Sequence, residues 1–168
     1  MTSYCLFCET VKCGFVAREI SARFGCRTIC PKQVQHTWAR GKMTDIVHDL
    51  LPGYVFVYTQ EEGLNVAALC ATPGVIRCLR NVGGGFCLQG GDEQFALMLL
   101  SRDGVIGKTR VYREGQMIRI CEGAFAGVEA KILRVNRRNM RIQIELSFAS
   151  TVVKPWVEYE MVENGAAE

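Results

Sequence analysis

Histidine, cysteine and clustered arginine are the residue types in this chain with the capacity for chemistry, and their spacing limits what that chemistry can be. His36 and His48 are the two histidines among 168 residues, and both fall in one hairpin-like stretch. A Cys-His nucleophile pair would need Cys8 or Cys30 to fold against one of them. No paired carboxylates stand in a recognisable motif, so no catalytic residues and no enzymatic activity are expected. Cys5 and Cys8 form a C-x-x-C inside the strand-like run Tyr4-Cys5-Leu6-Phe7-Cys8. Residues three apart on a strand point to opposite faces and do not easily share a metal. Cys26 and Cys30 can share a face but have no second pair nearby. No metal and no cofactor are therefore expected, and most of the nine thiols read as small buried apolar groups.

Five cations and no carboxylate lie between Lys131 and Arg141. Such a cluster attracts phosphate even where the net charge is only +3. Apolar residues make up 49% of the chain and charged residues 22%, the balance of a globular protein. No apolar run reaches the roughly 18–20 residues of a membrane span, so no membrane partner is expected. Met1-Thr2-Ser3-Tyr4 does not open a secretory signal. With an odd cysteine count, this argues against a disulfide scaffold and for a cytoplasmic location.

These groups need elements to position them. Tyr4 to Cys8 predicts a strand, and Lys12 to Phe24 a helix with Val16, Ile20 and Phe24 on one stripe and Gly25 ending it. Arg27 to Trp38 and Met43 to Leu50 predict a hairpin around Arg40-Gly41-Lys42. Tyr54-Val55-Phe56-Val57-Tyr58 is the clearest strand. Leu64 to Ala71 reads as a helix, Val75 to Leu79 as a strand and Asp92 to Ser101 as a third helix with its acids at the positive end. Gly83-Gly84-Gly85 is a turn, not a phosphate loop. Beyond residue 113 only short strands follow: Gln116 to Cys121, Val128 to Val135, Met140 to Leu146, Ser150 to Lys154 and Val157 to Met161. The expected fold is α+β: an antiparallel sheet with helices packed on it over 1–102, a polar linker over 103–113, and a five-stranded small barrel over 114–163.

Two segments carry a resemblance. Glu114-Gly115-Gln116-Met117-Ile118-Arg119-Ile120-Cys121-Glu122-Gly123-Ala124-Phe125-Ala126-Gly127-Val128-Glu129-Ala130 resembles a KOW motif, with Gly115, Gly123 and Gly127 at its turns and Phe125 and Val128 at its apolar positions. Upstream, Cys30-Pro31-Lys32, Arg40-Gly41-Lys42, Leu50-Leu51-Pro52-Gly53-Tyr54-Val55-Phe56-Val57 and Thr72-Pro73-Gly74-Val75 are similar, in order and spacing, to the N-terminal domain of the NusG family. The short hairpin and the cation-rich strand pair resemble the specialised RfaH/LoaP-like branch, LoaP most of all. Asn65-Val66-Ala67-Ala68 departs from the His-Thr-Thr-Thr run with which RfaH touches the polymerase gate loop.

The resemblance implies an operon-specific transcription antitermination and elongation factor, a monomer. Leu51, Tyr54, Phe56 and Leu97 would form an apolar face receiving the β′ clamp helices of RNA polymerase, with the β gate loop as a second contact. The other reading of Tyr54 and Phe56 is internal core. Lys32, His36, Trp38, Arg40 and Lys42 would face non-template or upstream DNA, or form a solvated hairpin tip. Lys131, Arg134, Arg137, Arg138 and Arg141 would grip a nascent RNA hairpin, or surround a soluble turn. Two further readings stay open: an RNA-binding module of ribosome or RNA assembly without a polymerase partner, and a barrel that binds a ribosomal protein.

Overall fold

The computed structural model describes residues 1–61, 63–114, 117–126 and 130–162. Gly115, Gln116 and Gly127 to Glu129 of the KOW-like segment, and residue 163, lie outside the described residues. The chain divides into two compact units, each built from separate stretches.

The first unit comprises Met1–Pro31, Leu51–Gly104 and Phe148–Thr151. Its sheet contains β1 (Thr2–Cys8), β2 (Arg27–Ile29), β5 (Tyr54–Thr59) and β6 (Val75–Cys78) in the order β2-β5-β1-β6. The two central strands are antiparallel, with Cys5 opposite Phe56 and Leu6 opposite Val55. Alternation on β5 supplies two faces. Val55 and Val57 join Tyr4, Leu6 and Cys8 in one core under Val16 and Ile20 of α1 (Cys13–Phe24) and Leu69 of α2 (Val66–Cys70). Tyr58 on the other face donates its hydroxyl to the Ala96 carbonyl of α3 (Gly91–Ser101) at 2.7 Å. Cys5 and Cys8 accordingly lie on opposite sides of the sheet.

Local signals explain the helix limits. Gly25, at φ 62°, ends α1 in the left-handed region, its N–H donating to the Ser21 carbonyl at 3.0 Å. Asn65 caps α2 by accepting from the Ala68 N–H at 3.1 Å. Asp92 and Glu93 occupy the first turn of α3, where the helix end is positive.

The second unit comprises Lys32–Leu50, Val105–Ser147 and 152 onward. The hairpin β3 (Lys32–Ala39) and β4 (Lys42–Asp49) turns through Arg40 and Gly41, both at positive φ. Cys30 and Pro31 separate it from β2, so the expected first hairpin strand is two strands. The stretch 103–113, expected as a polar linker, carries β7 (Val105–Ile106), which pairs in parallel with Lys32 and Gln33 of β3, and most of β8 (Thr109–Glu114). β8 joins β9 (Met117–Glu122), β10 (Ala130–Asn136), β11 (Arg141–Phe148), β12 (Thr151–Val153) and β13 (Trp156–Met161) in a sheet ordered β10-β11-β13-β8-β9, with β12 on β11. Among the described residues the C-terminal sheet thus adds β8 to the five strands expected. Ile142, Ile144 and Leu146 are buried on its inner face.

Gly53, at φ 90°, lets the chain enter β5 while its carbonyl accepts from the Cys8 N–H at 2.7 Å. A Cβ there would stand 3.1 Å from Phe7 Cε2 and 3.2 Å from the Cys8 carbonyl oxygen. Gly53→Ala should cost about 1–3 kcal/mol in urea denaturation, from backbone strain plus crowding. Gly41→Ala, where a Cβ meets nothing within 4 Å, should cost about 1 kcal/mol.

Candidate functional site

The four residues expected to form an apolar face on the first unit differ in exposure, and the ring of Phe56 is covered. Leu51 is buried and Tyr54 half-buried, its ring centroid 5.2 Å from that of Phe7. Phe56 is 0% exposed. Its ring lies 6.1 Å from Phe95 of α3 and 5.5 Å from Phe148, and those two rings are 5.6 Å apart. Such edge and tilted pairs add about 0.5–1.5 kcal/mol each beyond the area they bury. Leu97 stands on the outer side of α3, 39% exposed. Of the four expected residues, then, two are buried, one is intermediate and one is open.

Phe95 and Phe148 were not singled out by the sequence reading. Phe148 continues the alternation Ile142, Ile144, Leu146, which reads as more of the C-terminal core. The segment it starts is held tightly. Ala149 and Ser150 both have positive φ, 43° and 58°, an uncommon conformation for non-glycine residues. The Ala149 N–H donates to Asp92 Oδ2 at 3.0 Å. Burial raises the Asp92 pKa, and the Ala149 hydrogen bond partly opposes that rise.

On the hairpin, the five expected residues divide by partner. Lys32 is paired with Asp49. The His36 ring stands 3.4 Å from Glu158 and 3.7 Å from Asp45, and its backbone N–H donates to Glu158 Oε2 at 3.2 Å. Trp38 is 73% exposed beside its cross-strand partner Met43. Among the described residues no carboxylate pairs with Arg40 or Lys42 at the tip.

The cations of the C-terminal sheet lie on or beside its outer face. Register places Lys131 opposite Glu145, Arg134 opposite Gln143 and Asn136 opposite Arg141, away from buried Ile142 and Ile144. Arg137 and Arg138 occupy the exposed turn between β10 and β11. The Arg141 guanidinium lies 6.0 Å from the Trp156 ring centroid and donates to the Trp156 carbonyl at 3.4 Å. Trp156 and Lys154 were also not anticipated. Lys154 pairs with Glu145 at 3.2 Å, relieving the one carboxylate of this face on β11.

Burial pushes the Cys8 and Cys78 thiols up to about 12, which makes both poor nucleophiles and poor metal ligands. No cluster of three or more metal-ligating side chains occurs among the described residues. No described helix is long and apolar enough to cross a membrane.

An antiparallel sheet flanked by helices, followed by an all-strand sheet with clustered cations, defines a two-part α+β protein. No protein-family model matches the chain. It is 27% identical over 138 residues to the transcription termination/antitermination protein NusG of Lactococcus lactis subsp. lactis (strain IL1403), spanning 76% of this chain and 70% of that one. Its fold matches a solved structure described as domain interaction in Thermotoga maritima NusG, with a TM-score of 0.53 and 14% identity, over 94% of this chain and 93% of the other. The sequence match supports the NusG family, and the structural match shows a shared fold.

A protonation test follows from Asp92. Its raised pKa means the folded chain holds the proton more readily than the unfolded one. Ionisation near neutral pH therefore costs stability, and the cost is relieved as pH falls through the folded-state value. Asp92→Asn keeps an acceptor for the Ala149 N–H. Its denaturation midpoint should exceed that of the wild type at pH 7 and converge with it in acid.

Proposed function

We propose that the chain is a non-catalytic transcription elongation and antitermination factor of the NusG kind, acting on RNA polymerase and nucleic acid. The match to the Lactococcus protein over 138 residues carries this reading, supported by a shared fold across nearly the whole chain. In finer detail, the α3-side face of the first unit would take the β′ clamp helices, with the gate loop as a second contact. The hairpin would meet DNA and the C-terminal sheet a nascent RNA hairpin. Joining two weak sites raises effective concentration, the physical route to operon-specific recruitment.

Phe148 imposes a condition on that reading. A helix docks in an apolar groove through a few anchors that must be reachable. Leu97 is reachable now; Phe56 becomes so only when Phe148 leaves it. The apparent affinity of a partner for this face is reduced by the fraction of molecules in which it is closed.

Purified core RNA polymerase retained on immobilised chain tests this. Phe148→Ala should increase retention severalfold, Leu97→Asp should reduce it about tenfold, and Arg137→Gln with Arg138→Gln should leave it unchanged. Retention of ribosomal particles from lysate, with no polymerase held by any variant, would favour the assembly-factor alternative.

A further inference from the structure

We propose that the β3–β4 hairpin and the outer face of the C-terminal sheet form one continuous surface for single-stranded nucleic acid. This rests on the nucleic-acid reading above and changes it: the expected DNA and RNA sites become two ends of a single track.

The two parts belong to the same compact unit and are joined by several bonds. β7 pairs with β3 and leads directly into β8. On β13, the backbone groups of residues 155 and 159 point toward β11: the Pro155 carbonyl accepts from the Ile144 N–H and the Tyr159 N–H donates to the Met140 carbonyl. The groups of Trp156 and Glu158 therefore point the other way. Gln33, 1% exposed, satisfies them both, its amide nitrogen donating to the Trp156 carbonyl at 3.0 Å and its oxygen accepting from the Glu158 N–H at 2.7 Å. Glu158 in turn accepts from the His36 backbone.

Face and register carry the rest. Glu158 stands opposite Arg141, and Trp156 opposite Gln143, so both lie on the outer face with Lys131 and Arg134. His36 meets Glu158, and Trp38 follows two residues later on the same face of β3. Two strand residues advance about 7 Å and neighbouring strands stand about 5 Å apart, so Trp38 and Arg141 flank the His36–Glu158 contact closely. Both ends combine an aromatic ring with cations: Trp38 with Arg40 and Lys42, Trp156 with Arg141. Ring plus guanidinium or ammonium suits stacked bases on a phosphate chain. Of the carboxylates between them, Asp49 pairs with Lys32 and Glu145 with Lys154, Glu158 is buried against His36, and exposed Asp45 lies 3.7 Å from the His36 ring. Among the described residues no carboxylate pairs with Arg40, Lys42, Arg134, Arg137 or Arg138.

Fluorescence anisotropy with labelled, unstructured 15-nucleotide and 4-nucleotide RNA and DNA, on the full chain, tests this proposal. Two exposed groups are changed separately: Trp38→Ala with Lys42→Gln at the tip, and Arg137→Gln with Arg138→Gln at the turn. Each should weaken 15-mer binding roughly tenfold, the tip variant by the order of one stacked base and the turn variant through lost phosphate contacts. The turn variant should lower the salt slope by about 1.4, at about 0.7 per lost phosphate contact. The wild type's preference for the longer strand should disappear in either variant. Preference for RNA or for DNA then assigns the strand to a transcript or to an unpaired DNA strand. A tip variant that binds the 15-mer like wild type, while the turn variant does not, overturns the single track and leaves two sites. If neither variant alters binding of these unstructured strands, the single track falls, and a labelled RNA hairpin that also binds both variants like wild type overturns the nucleic-acid reading with it.

Discussion

A strand at the edge of a sheet has to hide its outward amides, and here one such edge decides the organisation of the second unit. The backbone groups of Trp156 and Glu158 are left uncovered where β8 has not yet begun to pair with β13, since that ladder starts at Tyr159. Gln33 fills the gap with a side-chain amide, which carries the same donor and acceptor as a peptide. An unmet buried donor or acceptor costs about 1–3 kcal/mol, so the hairpin is fastened where it covers two of them. That substitution of side chain for strand joins the β3–β7 ladder and the His36–Glu158 bond in grouping an early hairpin with a late sheet.

The first unit depends on a different device, the alternation of β5. Val55 and Val57 face α1 and α2, whereas Phe56 and Tyr58 face α3. One strand is buried on both sides, and the choice of what covers Phe56 is left to residues far along the chain. Phe95 is fixed by its helix. Phe148 is held by a strained turn and one hydrogen bond to Asp92, a carboxylate that burial disfavours in its charged form. The cover on this face is thus built from compensating costs and gains, while the core on the opposite face sets Tyr4 and Cys8 among aliphatic side chains.

Much of this was readable from sequence where a local rule governs. The alternation in Tyr54 to Tyr58, the αL glycine after α1 and the Arg40-Gly41 reversal each depend on neighbours within a few residues. The strands within 103–113 left no apolar period because they are short and half polar; Thr109 and Val111 are buried, but Arg110 between them is exposed. The role of Gln33 left no periodic trace, since a single amide pairing with a distant backbone looks like any surface glutamine. Phe148 was hidden by its own regularity. The cation cluster was legible as charge, but its aromatic companion Trp156 and the neutralising Lys154 required the register of β11 against β13.

The order of synthesis adds something to the placement of Phe148. All four strands and the three helices of the first unit have been translated once Gly104 has emerged, yet Phe148 is made 44 residues later. At about 5–20 residues per second, a growing chain spends roughly 2–9 s with Phe56 covered from α3 alone. A newborn molecule on the ribosome thus displays an aromatic surface that the finished one conceals, and whatever meets the chain first, chaperone or partner, finds it unguarded.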